Sequence, residues 1–415
     1  MHVLLIGAGG REHALARAIA QSPLCSQLTI APGNPGMADL GVLLAITTLP
    51  ALVTWLSHHP VDLVVIGPEA PLAAGWADAL RQLGYPVFGP GQQAARLESS
   101  KAFAKHIMQR VNVPTAAFRV FERSQEAIAF VKETKLPWVV KADGLAAGKG
   151  VIVADTVADT IAAIEQLGAL PAGQQLLLEE RLSGPEVSLI ALCDGQRALA
   201  LPTARDHKRL YDDDEGPNTG GMGAVATVSA IGHASANQLV EMIVQPMLDF
   251  MRLHQMPFVG ALYAGLMLTE HGPKVIEFNA RFGDPETQVI VPLCDGDLCA
   301  ALYAAATATL QPDQLAWRNQ AAACVVVSSA GYPQTPRLGD PITIDSGRLP
   351  TGGVVLHAGT ALRDGQLVSN GGRVLNAVGT GESMEQALRC AYAVVDCIHM
   401  PGMHYRLDIG QSELL

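Results

Sequence analysis

Short apolar runs alternate with helical patterns over the first hundred residues of the chain. Apolar runs occur at residues 3–6, 28–31 (interrupted only by Thr29), 63–66 and 86–88, and turns rich in glycine or proline follow them. Unbroken apolar strands that alternate with helices are typical of a parallel sheet covered on both faces. The pattern therefore predicts an N-terminal parallel α/β domain.

The pattern changes twice after residue 99. Strands are predicted first in a small α/β unit and then in a more antiparallel arrangement, at 138–141, 151–153, 176–178, 187–192, 198–201, 260–268 and 274–278. A long helix at about 235–254, with Ser235 as its N-cap, interrupts the second set. From about residue 321, short β runs, glycine-rich turns and one amphipathic helix at about 383–398 predict a third, β-rich α+β domain.

Composition and charge narrow the classes of function. Apolar residues make up 49% of the 415 residues and charged residues 16%, which excludes disordered and collagen-like proteins. No run approaches the roughly 18 to 20 apolar residues of a membrane span, and the start of the chain resembles a strand more than a signal peptide. The net charge of −11 disfavours nucleic acid and anionic lipid, so an anionic substrate needs a local cationic pocket. Seven cysteines without a CxxC pair favour free thiols and a cytoplasmic location.

The segment GAGGRE at 7–12 follows the first predicted strand and opens a helix. Glycines let a phosphate approach the backbone, the helix N-terminus offers N–H donors, and Arg11 adds a fixed fork for an anion. The dinucleotide fingerprint GxGxxG fails because Glu12 occupies its last position, and no acid closes the second strand. A phosphate site and a plain strand-to-helix turn both stay open.

The segment KADGLAAGKG at 141–150 is the most informative of the chain. Lys141 closes an apolar strand, and a loop with three glycines leads into the next strand. Such a loop can fold over a triphosphate whose oxygens Lys141 and Lys149 neutralise. It is not a P-loop, because the GxxxxGK[ST] spacing is absent and a strand follows. A hairpin with solvated lysines is the alternative.

Two further segments suit the binding of small polar groups. In LLLEERLSGPE at 176–186 the end of the strand can present backbone groups to an adenine, and Glu186 can accept from ribose hydroxyls, although a solvated turn is the alternative. The segments DHKR at 206–209 and PNTGGMG at 217–223 lack apolar periodicity and predict a long binding loop around a small ligand. A mobile surface loop is the alternative there.

The segment VIEFNARFGDPE at 275–286 begins in a strand and runs past its end. Glu277 and Asn279 are two residues apart and so face the same side of that strand. Two hard oxygen ligands beside a polyphosphate suit Mg²⁺, and Arg281 can stabilise a phosphoryl group in transfer. An ion-pair cluster at the end of a strand is the alternative.

Taken together, these motifs resemble those of the glycinamide ribonucleotide synthetase family, the phosphoribosylamine–glycine ligases of the ATP-grasp superfamily. The resemblance runs in order from residue 1 to about residue 410, at family-like spacing. It rests on GAGGREHAL (7–15), APGN (31–34), GPEAPL (67–72), KADGLAAGKGV (141–151), DHKR (206–209), PNTGGMGA (217–224), LYAGLM (262–267), IEFNARFGDPETQ (276–288) and NGGRVL (370–375).

The resemblance implies an α/β ATP-grasp enzyme built from three domains. We expect an N-terminal parallel α/β (Rossmann-like) substrate-binding domain at 1–99. A central ATP-grasp domain at 100–310 would include a small lid subdomain at about 117–182. A C-terminal β-rich α+β domain would occupy 318–415.

The activity that the resemblance implies is the ATP-dependent ligation of glycine to 5-phosphoribosylamine in de novo purine synthesis. A glycyl phosphate would form first, and ADP and phosphate would be released. ATP would be the cosubstrate and Mg²⁺ or Mn²⁺ the metal. The partners would be these small molecules, with no nucleic acid or membrane, and no feature points to a protein partner.

The resemblance also assigns site residues. Arg281 and Lys141 would be catalytic, and Glu277 and Asn279 would hold the metal. The ATP-binding residues would be Lys101, Lys141, Gly148, Lys149, Glu179, Glu180, Leu182 and Glu186. The substrate-binding residues would be Gly9, Gly10, Arg11, Glu12, Pro32, Gly33, Asn34, Glu69, Asp206, Lys208, Asn218, Thr219, Gly220, Gly221 and Asp284.

Three features depart from the superfamily pattern. No metal-binding acid stands in 262–267, Arg181 occupies a hinge position that is usually aromatic, and the segment 164–176 is short. Three competing hypotheses also stay open: a carboxylase-type or formate-dependent ATP-grasp ligase, a dinucleotide-dependent oxidoreductase that binds NAD through residues 1–99, and a non-catalytic nucleotide-binding regulator.

Overall fold

The structure, a computed structural model, describes residues 1–144, 150–227 and 235–413. Its first sheet is entirely parallel and consists of β1 (His2–Gly7), β2 (Gln27–Pro32), β3 (Val42–Leu43), β4 (Leu63–Ile66) and β5 (Val87–Phe88). The strand order is β3-β2-β1-β4-β5. The helices of this region are α1 (Gly10–Ala20), α2 (Leu49–Leu56), α3 (Glu69–Ala73), α4 (Trp76–Gln82) and α5 (Arg96–Ser99). The four predicted strands are confirmed, whereas the two-residue edge strand β3 was not predicted.

The apolar runs are buried on both faces, as the absence of polar alternation predicts. Val3 and Leu5 of β1 pack into one apolar cluster, whereas Leu4 and Ile6 pack into another. All four side chains are at most 4% exposed. Because successive side chains of a strand point to opposite faces, β1 anchors two separate layers of the protein.

A small antiparallel sheet follows α6 (Lys101–Arg110). Its strand order is β6-β9-β7-β8, and two helices pack against it. The elements are β6 (Phe118–Phe121), α7 (Ser124–Thr134), β7 (Val139–Ala142), β8 (Val151–Val153), α8 (Val157–Gly168) and β9 (Leu176–Glu179). All of them lie within the predicted lid subdomain at 117–182.

A nine-stranded sheet joins the central and C-terminal parts of the chain. Its central strands are β10 (Glu186–Asp194), β11 (Ala198–Ala200), β12 (Ala204–Asp206), β15 (Gly223–Thr227), β16 (Val259–Thr269) and β17 (Gly272–Asn279). The chain also forms a separate hairpin of β13 (Arg209–Tyr211) and β14 (Glu215–Asn218). The sheet continues into β18 (Ala321–Ser328), β23 (Arg373–Gly381) and β20 (Gly353–His357). Because β15 pairs with β18, one sheet crosses the predicted domain limit at 318.

Helices and short ribbons cover this sheet. The helices are α9 (Ala236–Leu239), α10 (Gln245–Leu253), α11 (Glu286–Ile290), α12 (Leu298–Ala306) and α13 (Met384–Val395). A π-helical turn, Val240–Val244, joins α9 to α10, and Ser235 accepts from Gln238 N as the predicted N-cap. The remaining strands are β19 (Thr343–Ile344), β21 (Thr360–Arg363), β22 (Gln366–Ser369) and β24 (Ile398–His399). Among the described residues, no helix has the length and apolar character needed to cross a bilayer.

Candidate active site

A cleft of about 1080 Å³ is lined by the N-terminal helices, the small sheet and the large sheet. Most of the sequence-predicted site residues line it. They are Arg11, Glu69, Lys101, Lys141, Glu179, Glu180, Leu182, Glu186, Asp206, Lys208, Asn218, Thr219, Gly220, Glu277, Asn279, Arg281 and Asp284. Residues as far apart in sequence as Arg11 and Gln411 therefore share one cavity.

Two buried lysines bracket the carboxylate of Glu179 at the end of β9. Lys105 Nζ lies 2.8 Å from Glu179 Oε2, and Lys141 Nζ lies 3.0 Å from Oε1. The Lys105 contact is a hydrogen bond, whereas Glu179 Oε1 has no hydrogen bond of good geometry among the described residues. Lys105 also donates to Thr115 Oγ1 at 2.6 Å, and Lys141 donates to Ile276 O at 3.1 Å. Burial lowers the pKa of Lys105 to about 8, although Glu179 opposes the shift.

The N-terminus of α6 holds the start of the predicted phosphate loop. Asp143 accepts from Ala102 N at 3.0 Å and from the Ser100 hydroxyl at 2.9 Å. Lys101 Nζ donates to the carbonyl oxygens of Ala142 and Gly144, at 3.2 and 3.1 Å. These contacts fix the entry of the loop next to α6. Residues 145–149, among them the predicted ligands Gly148 and Lys149, lie outside the described residues.

Glu277 and Asn279 lie at the C-terminal end of β17, and both line the cleft. Burial would raise the pKa of Glu277, but the positive charges of Lys208, Lys141 and Lys101 lower it below its usual value. The carboxylate is therefore ionised at neutral pH. Two hard oxygen donors, one charged and one neutral, face the cavity side by side.

Arg281 lies just beyond β17 and links three elements. Its Nη2 lies 3.0 Å from Glu98 Oε1, its Nε lies 3.5 Å from Glu69 Oε2, and it donates to Asn279 Oδ1 at 3.3 Å. Arg281 Nε makes no hydrogen bond within the described ranges of the chain. Burial would raise the pKa of Glu69, but the charges of Arg281 and Arg11 lower it. The guanidinium is thus held by acids yet keeps one donor unused.

Acidic and basic groups also meet where β12 ends. Lys208 Nζ donates to Glu186 Oε2 at 2.6 Å. Burial, with the nearby negative charge of Glu286, raises the pKa of Asp206 well above its usual value. Asp206 Oδ1 is buried and has no hydrogen-bond partner in the part of the chain that the structure describes. Glu286 Oε1 accepts from Ser188 Oγ at 2.9 Å.

The predicted irregular loop between 206 and 223 is wrong in part, because β13 and β14 form a hairpin there. The turn at 218–221 follows this hairpin. Gly220 N donates to Tyr332 OH at 3.0 Å, and Gly220 O accepts from Arg373 Nη1 at 2.6 Å. At Gly221, φ is +112°, and a Cβ there would lie 2.7 Å from Asp206 Oδ1. Glycine is therefore required for the turn to approach Asp206.

The predicted substrate residues at the start of α1 are largely bonded to one another. Gly9 N donates to Glu12 Oε2 at 2.7 Å. Arg11 Nε donates to Glu12 Oε1 at 2.5 Å, and Arg11 Nη1 donates to Phe282 O at 3.0 Å. A Cβ at Gly10 would lie 2.3 Å from Asn376 Nδ2 of the C-terminal part. Of these residues, Arg11 lines the cleft, whereas Gly9, Gly10 and Glu12 are not among its lining residues.

Two further predicted groups differ in their placement. Asn34 donates to the carbonyl oxygens of Ala8 and His357, so it ties the turn of Pro32 and Gly33 to the C-terminal part. Asp284 lines the cleft, where Gln288 Nε2 donates to Oδ1 at 2.7 Å and Arg373 Nη1 lies 3.3 Å away. Burial would raise the pKa of Asp284, but the charges of Arg373 and Arg11 lower it.

Several residues of the cleft were not predicted: Glu98, Lys105, Tyr263, Glu286, Tyr332 and Arg373. Lys105 stands one helical turn after Lys101, and that i,i+4 spacing is a signal that the sequence contains. Glu286 and Arg373 lie within the quoted motifs at 276–288 and 370–375. Tyr263 likewise lies within the motif at 262–267. Glu98 and Tyr332 carry no local signal, because their contacts are with remote parts of the chain.

Three profiles of one protein family match the chain in succession. The phosphoribosylglycinamide synthetase N domain matches residues 1–98, the ATP-grasp (A) domain residues 99–287, and the C domain residues 322–412. The chain belongs to the phosphoribosylglycinamide synthetase family. The resemblance found in the sequence and the predicted fold class are thereby confirmed.

Individual relatives agree with the family assignment. The phosphoribosylamine–glycine ligase of Caulobacter vibrioides is 46% identical over 419 residues, which cover 99% of this chain and 98% of the relative. That of Streptomyces coelicolor is 47% identical over 416 residues, with 99% of both chains covered. The crystal structure of the phosphoribosylamine–glycine ligase of Thermotoga maritima, at 35% identity, has a TM-score of 0.86 and covers 99% of this chain and 100% of that one.

The fold is shared more widely. The biotin carboxylase domain of the Hydrogenobacter thermophilus 2-oxoglutarate carboxylase, solved in complex with MgADP and bicarbonate, is 16% identical to this chain. Its TM-score is 0.74, and the alignment covers 97% of this chain and 91% of that one. At this identity the likeness concerns the fold.

Proposed function

We propose that this chain is an ATP-dependent ligase that joins glycine to 5-phosphoribosylamine in purine biosynthesis. One observation carries the proposal. Lysines from α6 and β7, the Glu277–Asn279 pair of β17 and residues 218–220 of the polar turn all line a single cleft in a chain of this family. That cleft has the groups for a triphosphate, a metal and a polar acceptor side by side.

The chemistry needs no protein nucleophile. A carboxylate oxygen of glycine attacks the γ-phosphorus of ATP, so that glycyl phosphate forms and ADP leaves. The amine nitrogen of phosphoribosylamine then attacks the glycyl carbonyl carbon, phosphate departs, and the amine loses a proton. Such steps depend on positioning and on cations around the phosphoryl oxygens. Lys141 and Arg281 are the proposed catalytic cations, and Lys101 would also contact the phosphates.

The adenine and ribose would lie at the end of β9. Glu179, Glu180 and Leu182 line this part of the cleft, and Glu186 follows at the start of β10. Glu180 N is already bonded to Ala117 O at 2.8 Å. The adenine would therefore be read by other backbone groups of this stretch, for which the side chain of Arg181 is not required.

The residues present fit a hard divalent cation. Glu277 supplies an ionised carboxylate and Asn279 an amide oxygen, and Mg²⁺ is commonly held by one or two such ligands plus phosphate oxygens and water. Gly265 of β16 lies opposite Glu277, so the neighbouring strand adds no side chain. No cluster of three or more metal-ligating side chains occurs among the described residues. When bound, Mg²⁺ or Mn²⁺ would neutralise charge on the phosphates of ATP.

Glycine would be held near Asp206. The buried Oδ1 of Asp206 has no hydrogen-bond partner among the described residues, and the ammonium group of an amino acid would provide one. Lys208 follows Asp206 two residues later, and the turn at 218–221 approaches the side chain of Asp206 in space. We propose that these residues, Lys208, Asn218, Thr219, Gly220 and Gly221, border the substrates. Burial and the charge of Glu286 raise the pKa of Asp206 and so disfavour its ionised form. The ammonium group of a bound amino acid would favour the ionised carboxylate and pair with it.

Phosphoribosylamine would lie toward α1 and α3. Arg11, Glu69 and Asp284 line that end of the cleft. The other proposed residues, Gly9, Gly10, Glu12 and the segment 32–34, would shape this end from behind. We also propose the domain limits 1–99, 100–310 and 318–415, with the lid subdomain at 117–182. A cytoplasmic location is proposed because all seven cysteines are free thiols.

The direct test is a coupled assay of ADP release. It would contain ATP, Mg²⁺, glycine and phosphoribosylamine generated in situ, with each component omitted in turn. We expect ADP only from the complete mixture. Release that depends on bicarbonate and biotin, or no release at all, would contradict the proposal. Calorimetry with NAD distinguishes this function from the oxidoreductase alternative. The oxidoreductase would bind NAD tightly, whereas we expect no binding.

A variant tests the glycine site. Asp206→Asn removes the charge that would pair with the ammonium group, and we expect the KM for glycine to rise by about 10-fold or more, the loss of one charge-assisted hydrogen bond. The KM for ATP should not change. Asp249→Asn, in an exposed pair with Arg252, is the matched control. An unchanged KM for glycine in Asp206→Asn would place the ammonium group elsewhere.

A further inference from the structure

The C-terminal segment 404–413 lies against the hairpin 209–218, which leads into the turn at 218–221. The hairpin has little to hold it together by itself. Its two strands share only the register pairs Arg209↔Asn218 and Tyr211↔Glu215, with an irregularity between them. Within 209–218, all of which is described, only Leu210 is buried. Because an isolated two-stranded hairpin is marginally stable, external contacts must fix its position.

The tip of the hairpin is strained and is held by the tail. Asp213 and Asp214 have φ values of 57° and 53°, which are unfavourable for residues with a side chain. Each of the three tip residues contacts the C-terminal segment. Leu407 N donates to Asp212 Oδ1 at 2.8 Å, Asp213 N donates to Asp408 Oδ2 at 2.9 Å, and Arg406 Nη1 donates to Asp214 Oδ1 at 2.7 Å.

Arg406 is the centre of this contact. Its side chain is 1% exposed, and it binds Asp408 through Nε and Nη2 at 2.7 and 2.6 Å. A two-point arginine–carboxylate pair fixes orientation as well as distance. The backbone is anchored too, because Tyr392 OH donates to Arg406 O at 3.0 Å and accepts from Ile409 N at 3.1 Å. Arg406 thereby joins the hairpin to α13.

Further hydrogen bonds connect the C-terminal segment with Lys208 and the turn at 218–221, at the substrate end of the cleft. Gly410 N donates to His207 Nε2 at 3.1 Å. The next residue, Lys208, accepts at its carbonyl oxygen from Thr219 N and from Thr219 Oγ1, both at 2.8 Å. Its ammonium group donates to Glu186. A shift of the hairpin would therefore move Lys208 and the turn together.

We propose that Arg406 is a positioning residue: it fastens segment 404–413 to hairpin 209–218 and so holds Lys208 and the turn at 218–221 in place for the substrates. Arg406 lines the cleft, but its side chain is 1% exposed and is bonded to Asp214 and Asp408. It therefore acts through these groups and not on the reacting atoms. The inference rests on the proposed function only in the choice of substrates whose binding is measured.

The test uses the full chain and three variants. Arg406→Met removes the charge and keeps the length of the side chain. Asp214→Asn weakens only the hairpin side and leaves the Arg406–Asp408 pair intact. Arg389→Met is the control, since Arg389 pairs with Glu385 on the surface of α13, with 71% and 69% of their side chains exposed. For each variant we would measure kcat, the KM for glycine, the KM for phosphoribosylamine, the Kd for ATP, and the rate of amide hydrogen exchange in 209–218.

We expect Arg406→Met to raise the KM of glycine or phosphoribosylamine by about 10-fold or more and Asp214→Asn to raise the same KM by about threefold, because small displacements of binding groups are costly. The Kd for ATP should stay within about twofold of wild type, exchange in 209–218 should accelerate, and Arg389→Met should match wild type.

The proposal is overturned if both KM values are unchanged in the folded variants, or if exchange in 209–218 is unaffected. If Arg406→Met does not fold, Asp214→Asn decides by the same criteria. A wild-type protein without glycine-dependent ADP release would instead contradict the proposed function. Hydrogen exchange would still test whether Arg406 holds segment 404–413 against hairpin 209–218, because this measurement requires no turnover.

Discussion

Removing the ammonium group of Lys105 tests how the buried Lys105–Glu179–Lys141 cluster serves ATP binding. Lys105→Met keeps the aliphatic stem and leaves Glu179 with Lys141 as its remaining cationic partner, 3.0 Å away. If Lys141 then turned toward a phosphate, a buried carboxylate would lose its last counter-charge. We therefore expect Lys141 to stay on Glu179 in this variant.

The expected loss of ATP affinity follows from the contact between Lys141 and a phosphate of ATP, which the variant would lack. A charge-assisted hydrogen bond is worth about 1.5–3 kcal/mol, so the Kd for ATP should rise by about 10- to 150-fold at about 1.4 kcal/mol per factor of ten. The effect on folding should be smaller. The pKa of Lys105 falls from 10.5 to about 8 even though Glu179 opposes the fall. At pH 7 the charged lysine therefore has a net cost of about 3 kcal/mol in the folded chain, with the attraction of Glu179 already included, and the variant removes this cost while Glu179 keeps Lys141 as a counter-charge.

Two measurements check this reasoning. Calorimetry gives the Kd for ATP in the presence of Mg²⁺, and urea unfolding gives the free energy of unfolding, which should change by less than about 2 kcal/mol. Lys132→Met, at an exposed position of α7, is the control. An unaltered Kd for ATP in the folded Lys105→Met protein would refute the coupling between the two lysines. A large loss of stability would show that the ion pair serves the fold.

Two further predictions concern the metal and pH. Glu277→Gln should lower turnover by about two orders of magnitude or more, as the loss of one electrostatic stabiliser does, and unchanged turnover at saturating Mg²⁺ would remove Glu277 from the metal site. Burial lowers the pKa of His13 to about 3, and its Nδ1 accepts from His357 N at 2.8 Å. Between pH 6.5 and that value the unfolded chain binds a proton that the folded one does not. The free energy of unfolding should therefore fall as pH decreases, by about 1.4 kcal/mol per pH unit from this group. His13→Asn, whose side-chain oxygen can replace Nδ1 as acceptor, should show a shallower pH slope in urea unfolding, and an identical slope would count against the assignment.

The strands of the parallel sheet were predictable because their signal is local. A run such as residues 3–6 is apolar at every position, and both faces of β1 are buried. The hairpin of β13 and β14 gave no such signal. Apolar and polar residues do not alternate along its strands. The contacts that fix the hairpin come from Arg406 and Asp408, nearly two hundred residues later in the chain.

In the candidate site, too, residues with a local sequence signal were predictable and residues fixed by distant contacts were not. Glu277 and Asn279 were predicted to face one side because they are two residues apart on a strand, and both line the cleft. Lys105 and Arg373 could have been predicted from the spacing to Lys101 and from the motif at 370–375. Glu98 and Tyr332 could not, because their partners, Arg281 for one and Gly220 for the other, are distant in sequence. Arg11 was assigned to a ligand, but the sequence did not indicate that its neighbour Glu12 would pair with it.

The central claim is that the cleft activates a carboxylate by phosphorylation, and an isotope experiment tests it most directly. Glycine labelled with ¹⁸O in its carboxylate would be turned over with ATP and phosphoribosylamine, and the released phosphate analysed by mass spectrometry. If the carboxylate oxygen attacks the γ-phosphorus, the phosphate keeps that oxygen when the amine displaces it. We predict one labelled oxygen in each phosphate formed. Phosphate without label, released along with the ligated product, would contradict the account.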